Sequence, residues 1–337
     1  MNNDRIQEIL DLMEEARLDY FLISDPQSIA YCTGYYNDPH ERMFVFMISK
    51  HGNHTLFMND LFYLDHDLDV NIVWHKDGQD AIQTIVDEMH FPGRIGIDKN
   101  WASHFLLDLM KKLPDAKYIN ASPCVDLVRM KKDLQEQVLM IESSKINDAV
   151  MEEIIPFIQE GVTEKQLAKK LDELFFKHHS TCYGAIVAFG KNAADPHHEN
   201  DDTLLRKGDC VLIDMGCVYE GYCSDMTRTF FYGGIREDEM KVYEIVKKAN
   251  EAAEAMIKPG VKLSDIDKCA RKVISDEGYG KYFTHRLGHF IGRDVHEYGD
   301  VSSVNEMEVE EGMIFSIEPG VYLEGDFGVR VEDLVMV

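Results

Sequence analysis

The sequence is short of positive charge. Its 35 lysine and arginine residues face 61 aspartate and glutamate residues, which gives a formal net charge of −26. Nucleic acids and anionic membrane surfaces would repel such a chain unless a local basic patch intervened, and the sequence contains no such patch. No nucleic-acid or membrane partner is therefore expected, although part of the acidic excess could serve to hold cations.

The sequence also lacks a CxxC pair and any long apolar run. The longest runs, such as MFVFMI at residues 43–48, are too short to cross a bilayer. The N-terminal stretch, residues 1–23, is acidic and amphipathic, unlike a secretion signal. Seven cysteines, an odd number, predict reduced and mostly buried thiols in a cytoplasmic protein. They are Cys32, Cys124, Cys182, Cys210, Cys217, Cys223 and Cys269.

The pattern of apolar residues predicts an α+β chain of two domains. Residues 1–125 interleave helical segments near 4–17, 79–90 and 102–112 with six short strand-like runs, which is typical of a small α/β domain. A long charged amphipathic stretch then predicts a helix that opens a second domain, residues 126–337. The 337 residues are enough for two domains with substantial cores.

The second domain contains a weak internal repeat. The stretch that begins at Asn147 can be laid over the stretch that begins at Asn250, and after a short indel Gly161 matches Gly260. Each copy predicts a helix, a Gly-Val turn and a second helix, followed by a strand-rich segment. The first copy also predicts a capping box between Thr163 and Gln166. The order of the elements supports the repeat more than residue identity does.

Each copy then predicts a hairpin that carries two acids. A turn at Tyr219-Glu220 places Asp214 directly opposite Asp225, whereas a turn at Glu220-Gly221 makes them diagonal neighbours on the same face. An odd-length loop centred near Gly325 likewise puts two more acids, Glu318 and Glu332, on one face of the second hairpin.

If a pseudo-twofold axis relates the two copies, the four carboxylates converge between them. Four such groups would repel one another and would be costly to desolvate. Two divalent cations would balance their charge. Oxygen ligands with one imidazole suit Mn²⁺, Co²⁺, Fe²⁺ or Zn²⁺ better than a soft thiolate-binding metal.

The stretch HRLGHFIGRDVHE, residues 285–297, carries three histidines at spacings that would align on a helix. Two glycines, Gly288 and Gly292, disfavour that helix by about 1 kcal/mol each, and no HExxH base is present. In an extended chain His285 and His289 share a face, and His296 has the opposite parity unless a glycine bend resets it. One of these histidines is then the imidazole ligand.

A separate polar stretch, GKNAADPHHEN, contains two further histidines. Pro196 predicts an extended or turning loop just ahead of His197 and His198, a suitable setting for an exposed side chain at a site. Simple solvation of both rings is the alternative interpretation.

Four motifs, in this order and spacing, resemble those of the metallopeptidases of the pita-bread fold. Within that family they are similar to the proline-specific group, Xaa-Pro dipeptidase (prolidase) and aminopeptidase P. The motifs are VLIDMGCVYEGYCSDMTRTF, HRLGHFIGRDVHE, FSIEPGVY and GVRVEDLVMV. The stretch LDYFLISDPQSIAYCTGYYND also resembles the N-terminal creatinase/prolidase-like domain, which methionine aminopeptidases usually lack. The chain ends at Val337, where family members generally continue through a further turn and strand.

The resemblance implies a pita-bread catalytic domain over residues 126–337 with two divalent ions, Mn²⁺ being preferred. It implies a cytoplasmic homodimer acting on small peptides with proline in second position. Asp225 and Glu332 would bridge the ions, Thr227 and Arg330 would orient those two carboxylates, and the full set of implied metal ligands is Asp214, Asp225, His289, Glu318 and Glu332.

The resemblance also assigns catalytic roles. Glu318 would take a proton from the attacking water, and His296 would hydrogen-bond the developing tetrahedral oxygens. His197 would position the proline end of the substrate, and His285 would line the pocket for the proline ring or its carboxylate.

Three alternatives stay open. The enzyme could be an aminopeptidase P acting on longer peptides. A binding protein that has lost catalysis, or a metal-independent relative such as creatinase, would share the fold but would normally have substituted ligands.

Overall fold

The computed structural model describes residues 1–90 and 92–337, which form two units, Met1–Arg129 and Met130–Val337. The boundary expected from the sequence, between residues 125 and 126, lies four positions earlier, inside the helix Pro123–Met130.

A six-stranded mixed sheet forms the centre of the first unit. Its spatial order is β4-β3-β2-β1-β5-β6, and the pairs β1/β2 and β2/β3 are antiparallel while the others are parallel. The six runs expected to be strands are β1 Tyr20–Ile23, β2 Val45–Ser49, β3 Thr55–Asn59, β4 Asn71–His75, β5 Arg94–Ile97 and β6 Lys117–Asn120.

The described residues of this part of the chain form the helices α1 Asn3–Glu15, α2 Pro26–Thr33, α3 Ala81–Glu88, α4 Ser103–Lys112 and α5 Pro123–Met130. The three helices expected from the sequence are α1, α3 and α4, and their presence is confirmed. Helix α2 was not expected. Its last six residues are all buried, so it has no alternation of apolar and polar residues. Asp25 caps it and Gly34 ends it at φ 82°.

The second unit contains two similar halves, which we call the first repeat (residues 134–231) and the second repeat (residues 237–336). Helices α6 Leu134–Ile154 and α7 Glu164–Lys177 pack together in the first repeat, as do α8 Glu237–Glu254 and α9 Leu263–Asp276 in the second. Capping boxes begin α6 at Asp133 and α7 at Thr163, and the Thr163–Gln166 box is the one expected.

Antiparallel strands complete each repeat. Those of the first are β7 Thr181–Cys182, β8 Ile186–Phe189, β9 Cys210–Met215, β10 Cys217–Tyr219, β11 Tyr222–Cys223 and β12 Met226–Phe231. Those of the second are β13 Gly288–His289, β14 Asp300–Val301, β15 Ile314–Ile317, β16 Gly320–Leu323, β17 Phe327–Arg330 and β18 Asp333–Met336.

Matching hydrogen bonds confirm the repeat. The buried Asn147 amide donates to the Met215 carbonyl at 3.1 Å, and the buried Asn250 amide donates to the Ile317 carbonyl at 3.0 Å. Gly161 N–H donates to Leu205 O in the first repeat, and Gly260 N–H to Val309 O in the second. The two asparagines therefore tie equivalent helices to equivalent strands.

The cysteines follow the sequence expectation. All seven are free thiols, and five of them are buried. Burial raises the pKa of Cys32 and Cys210 to about 12, so these thiols stay protonated and unreactive.

Candidate active site

The hairpin of the first repeat sets the positions of Asp214 and Asp225. Tyr219 pairs with Tyr222, so the turn lies at Glu220-Gly221, and both residues have positive φ angles of 48° and 81°. Such a turn favours glycine in its second position. Asp214 therefore pairs with Thr227, and Asp225 is its diagonal neighbour on the same face. Direct opposition of the two aspartates was wrong, and the alternative register is the observed one.

The hairpin of the second repeat places Glu318 opposite Glu332. Gly320 pairs with Arg330 on one side of the acids, and Ile317 pairs with Asp333 on the other. Both pairs have the same register, which puts Glu318 opposite Glu332. The loop Glu324-Gly325-Asp326 is centred on Gly325, which has a φ angle of 78°. The expected odd-length loop is confirmed.

No helix forms within residues 285–297. Gly288 and His289 form β13, and a Cβ atom at Gly288 would lie 1.9 Å from Ser316 O, so the close packing requires glycine. His289 N–H donates to Ser316 Oγ at 3.0 Å, and His289 Nδ1 lies 3.2 Å from Phe290 O. The remaining nitrogen, Nε2, is thus turned towards the acids.

The side chains of both hairpins meet at His289 Nε2. This atom lies 3.5 Å from Asp225 Oδ2, 3.6 Å from Glu318 Oε1 and 4.0 Å from Glu332 Oε1. The ligand atoms of Asp225, His289 and Glu332 all lie within 4.8 Å of one another, and these three residues are buried. The distances allow them to hold an ion in common.

Burial and mutual repulsion both disfavour the charged forms of these acids. Burial, followed by the nearby Asp214 and Glu318, raises the pKa of Asp225 well above its usual value. Burial and the nearby Asp225 carboxylate raise the pKa of Glu332 well above its usual value. Burial and the nearby Glu332 carboxylate raise the pKa of Glu318 to about 8. Divalent cations would relieve this repulsion, and a set of four carboxylates with one imidazole fits them.

Each repeat supplies a donor to an acid of the other repeat. Arg330 Nη2, from the second repeat, donates to Asp214 Oδ2 of the first at 2.6 Å. Thr227 Oγ1, from the first repeat, donates to Glu332 Oε2 of the second at 2.7 Å. Arg330 Nε also donates to Thr227 Oγ1 at 3.0 Å. The sequence places Thr227 beside Asp225 and Arg330 beside Glu332, each on its own strand. In the structure Thr227 contacts Glu332 and Arg330 contacts Asp214.

Sequence reasoning missed two tyrosines. Tyr322 OH accepts from Arg330 Nη1 at 3.0 Å and lies 2.9 Å from His285 Nε2, and burial raises its pKa to about 12. Its position on the same strand face as Glu318 was a signal that could have found it. Tyr183 OH donates to Ser224 O at 2.7 Å beside Asp225, but it lies far from the motifs in the sequence.

A cavity of about 700 Å³ in the second unit brings the remaining candidates together. It is lined by the five candidate ligands and by Arg330, His197, His285 and His296, with Tyr183, Gly184, Ile186, Pro196, Thr284, Arg286 and Val295 completing its wall. His198 is not part of this wall. Its Nε2 lies 2.7 Å from Glu164 Oε2 instead.

Two of the cavity histidines, His285 and His296, are uncharged at neutral pH. Burial lowers the pKa of both His285 and His296 to about 4. His296 packs edge to face against His289 with 4.3 Å between ring centroids, so the bend that follows Gly292 does bring the two rings together. Neutral imidazoles can donate or accept hydrogen bonds without adding charge to the site.

Two family models cover almost the whole chain. Metallopeptidase family M24 matches residues 138–337, and the creatinase/prolidase N-terminal domain matches residues 5–131. The chain belongs to metallopeptidase family M24, whose members use divalent metal ions. The two-part organisation and the family resemblance seen in the sequence are confirmed.

Solved structures show the same likeness along the whole chain. A dipeptidase from Pyrococcus horikoshii is 35% identical with a TM-score of 0.91, over 99% of this chain and 95% of that one. A prolidase from Thermococcus sibiricus is 32% identical with a TM-score of 0.92, over 100% and 94%. An X-Pro aminopeptidase from Thermotoga maritima is 30% identical with a TM-score of 0.83, over 97% and 95%.

The chain is therefore a metallopeptidase whose fold is shared with prolidases and Xaa-Pro peptidases. Among the helices of the described residues, none has the length and apolar character needed to cross a membrane.

Proposed function

We propose that this protein is an Xaa-Pro dipeptidase that hydrolyses the bond before proline in small peptides. The observation that carries the proposal is that Asp225, Glu318 and Glu332 lie within 4.0 Å of His289 Nε2 and that Asp214 lines the same cavity. The same cavity carries neutral histidines that can contact a peptide without repelling its ends. Similarity to a dipeptidase and a prolidase supports the choice of substrate.

Asp214, Asp225, His289, Glu318 and Glu332 would hold two divalent ions, with Asp225 and Glu332 as the ligands we assign to both. Asp214 would complete one ion, and His289 with Glu318 the other. Mn²⁺ is our first choice, ahead of Co²⁺, Zn²⁺ or Fe²⁺. When bound, such ions supply Lewis acidity that lowers the pKa of water and polarises the scissile carbonyl.

Protein side chains carry out the remaining tasks. Glu318 accepts the proton of the attacking water, and the hydrogen bond that its Oε1 accepts from Ser316 Oγ at 3.2 Å orients its carboxylate. His296, whose ring packs edge to face against His289, donates to the oxygen that becomes negative in the transition state. Arg330 holds Asp214 and Tyr322 in place through its two terminal nitrogens.

Two histidines are assigned to the substrate. The nitrogen of a bond before proline has no hydrogen, so it must receive a proton before it leaves, and Glu318 passes on the proton that it took from the water. A histidine that positions this end of the substrate aids the transfer. We assign this role to His197 and assign His285, fixed by Tyr322, to the wall that receives the proline ring or its carboxylate.

Aminopeptidase P activity on longer peptides is the second candidate. The dipeptidase is favoured because TM-scores of 0.91 and 0.92 to a dipeptidase and a prolidase exceed 0.83 to an X-Pro aminopeptidase.

We also propose a homodimer in the cytoplasm, on the strength of the family resemblance. Gel filtration with light scattering tests the dimer.

One assay separates these candidates. The metal-stripped protein is incubated with Ala-Pro or an Ala-Pro-Ala tripeptide, with and without Mn²⁺. We expect Mn²⁺-dependent cleavage of Ala-Pro with little cleavage of the tripeptide. Preference for the tripeptide would favour aminopeptidase P. A protein that binds no metal and gains neither activity nor melting temperature with Mn²⁺ would overturn the proposal.

A further inference from the structure

His197 lies in a loop, residues 190–201, that opens with a short 3₁₀ helix at Gly190–Ala194 and leads away from β8 towards β9. The His197 ring lines the cavity and is close enough to His285 and His296 to help lower the pKa of both. The side chain is itself exposed at the cavity rim. Its direction must therefore come from whatever holds the loop.

One buried carboxylate holds the loop on both sides of His197. Glu164, in the first turn of α7, is 0% exposed. Its Oε1 accepts from Phe189 N–H at 2.8 Å and from Asn192 Nδ2 at 3.0 Å, both before His197. Its Oε2 accepts from Asp201 N–H at 3.0 Å and lies 2.7 Å from His198 Nε2, both after His197. The loop is thus closed around a single side chain.

Glu164 and the residues around it include the side-chain types that bind metal ions, but their ligand atoms are already hydrogen-bonded. Glu164, His198 and Asp201 present ligand atoms within 4.8 Å of one another. The two Glu164 oxygens, however, already have four nitrogen partners, which leaves no lone pair directed at a cation. Asp201 Oδ1 accepts from Thr203 N–H at 2.6 Å. The cluster is therefore a hydrogen-bonded anchor.

The contact with His198 is the one most directly linked to the direction of His197. His198 is the next residue along the chain, and its side chain is 13% exposed. Pro196 restricts the backbone on the other side, and the His197 N–H donates to Asp195 Oδ1 at 3.0 Å. Because the His198 side chain is turned inward to Glu164, the side chain of the preceding residue, His197, is directed into the cavity.

We propose that Glu164 and His198 are positioning residues that aim His197 at the substrate, and this proposal rests on the proposed function. Neither residue lines the cavity or contacts the candidate metal ligands. Their influence on the reaction passes through His197.

A double-mutant cycle tests this route. We expect His198→Ala to lower kcat/KM for Ala-Pro roughly tenfold or more, because small displacements of a substrate-positioning group are costly. His198→Gln, whose amide can still donate to Glu164, should retain most of the activity. In a His197→Ala background, His198→Ala should cause no further loss. An equal loss in both backgrounds would overturn the proposal.

A matched control lies at the C-terminal end of α7, where His178 follows the last helical residue and contacts Glu153 of α6. His178 Nε2 lies 3.1 Å from Glu153 Oε1 at the other end of α7, outside the cavity wall. His178→Ala breaks a similar pair and should leave kcat/KM unchanged. If Glu164→Gln folds, its kcat/KM should fall as much as that of His198→Ala. If it does not fold, the two His198 variants test the proposal without it.

Nuclear magnetic resonance gives a readout that does not need activity. The ring Cε1–H signal of His197, assigned by its loss in His197→Ala, should shift towards that of a solvated histidine in His198→Ala. It should stay in place in His198→Gln. An unchanged signal in His198→Ala would refute the positioning role even if the wild-type protein hydrolyses no Xaa-Pro peptide. That lack of hydrolysis would count against the proposed function alone.

Discussion

Asn147 and Asn250 occupy matching places in the two repeats of the second unit, and each donates to the carbonyl of the residue that is next to a candidate acid, Met215 beside Asp214 and Ile317 beside Glu318. The acids on these matching scaffolds differ. The first repeat presents two aspartates in a diagonal pair, whereas the second presents two glutamates opposite each other. Only the second repeat adds a histidine, His289, to the proposed ligand set.

The difference shows how a duplicated scaffold can hold an unsymmetrical site. The shorter aspartates and longer glutamates reach a common point from hairpins with different registers. Arg330 and Thr227 then cross between the repeats, so that each half depends on a donor from the other. Four experiments probe how far the two halves are equivalent.

The largest effect is expected from removing a proposed ligand from either half. Asp225→Asn in the first repeat and His289→Ala in the second should each reduce kcat/KM by more than about 100-fold. Loss of a residue that only hydrogen-bonds a metal ligand typically costs up to about 100-fold, and loss of a ligand itself should cost more. Metal content, measured by mass spectrometry, should fall in both. Near wild-type turnover in one variant would mean that this half is dispensable.

The crossed donors should give the next largest effect. Arg330→Met removes partners of Asp214, Tyr322 and Thr227 together, so we expect kcat/KM to fall about 100-fold. Thr227→Val keeps the shape of the side chain but removes one donor to Glu332, and a fall of about tenfold is expected. Steady-state kinetics at saturating Mn²⁺ measures both. A larger loss in Thr227→Val would reverse the order of the two donors.

The matching asparagines should affect stability. Asn250→Ala removes a buried hydrogen bond and should lower the free energy of unfolding by about 1–3 kcal/mol. Asn147 Oδ1 is buried without a hydrogen-bond partner among the described residues, so Asn147→Ala also removes an unfavourable burial and should cost less. Urea unfolding of both variants compares them. Equal losses would show that the unpaired oxygen is harmless.

The smallest effect concerns Phe176 on α7, which is 81% exposed. The corresponding residue of α9 is Ser275, when Gly161 is aligned with Gly260. Phe176→Ser therefore makes the two repeats more alike at a surface position and should change the unfolding free energy by less than about 0.5 kcal/mol. A loss of unfolding free energy above about 1 kcal/mol, which is on the order of burying one methylene group, would mean that the Phe176 ring packs against the protein despite its exposure.

Much of this arrangement could be predicted because strand parity and turn position suffice to place acids on a common face. The second hairpin follows directly from a loop centred on Gly325. The first was ambiguous because Tyr219-Glu220 and Glu220-Gly221 both give two-residue turns. The positive φ angle that the second turn position needs favours Gly221 there, which is the physical reason for the observed register.

Other features depend on contacts between distant segments. The crossing of Arg330 to Asp214 joins residues 116 positions apart, and Tyr183 reaches Ser224 across 41 positions. No local periodicity encodes such contacts. The short helix α2 was missed for a related reason, since its burial on nearly all sides removes the polar face by which an amphipathic helix is recognised.

The turn at Glu220-Gly221 also limits how this hairpin can change length. One residue added at the tip would exchange inward and outward positions along one strand and would turn either Asp214 or Asp225 away from His289. Two added residues would restore the alternation. Insertions at this tip, four to six positions from the aspartates, should therefore be tolerated in pairs and rejected singly.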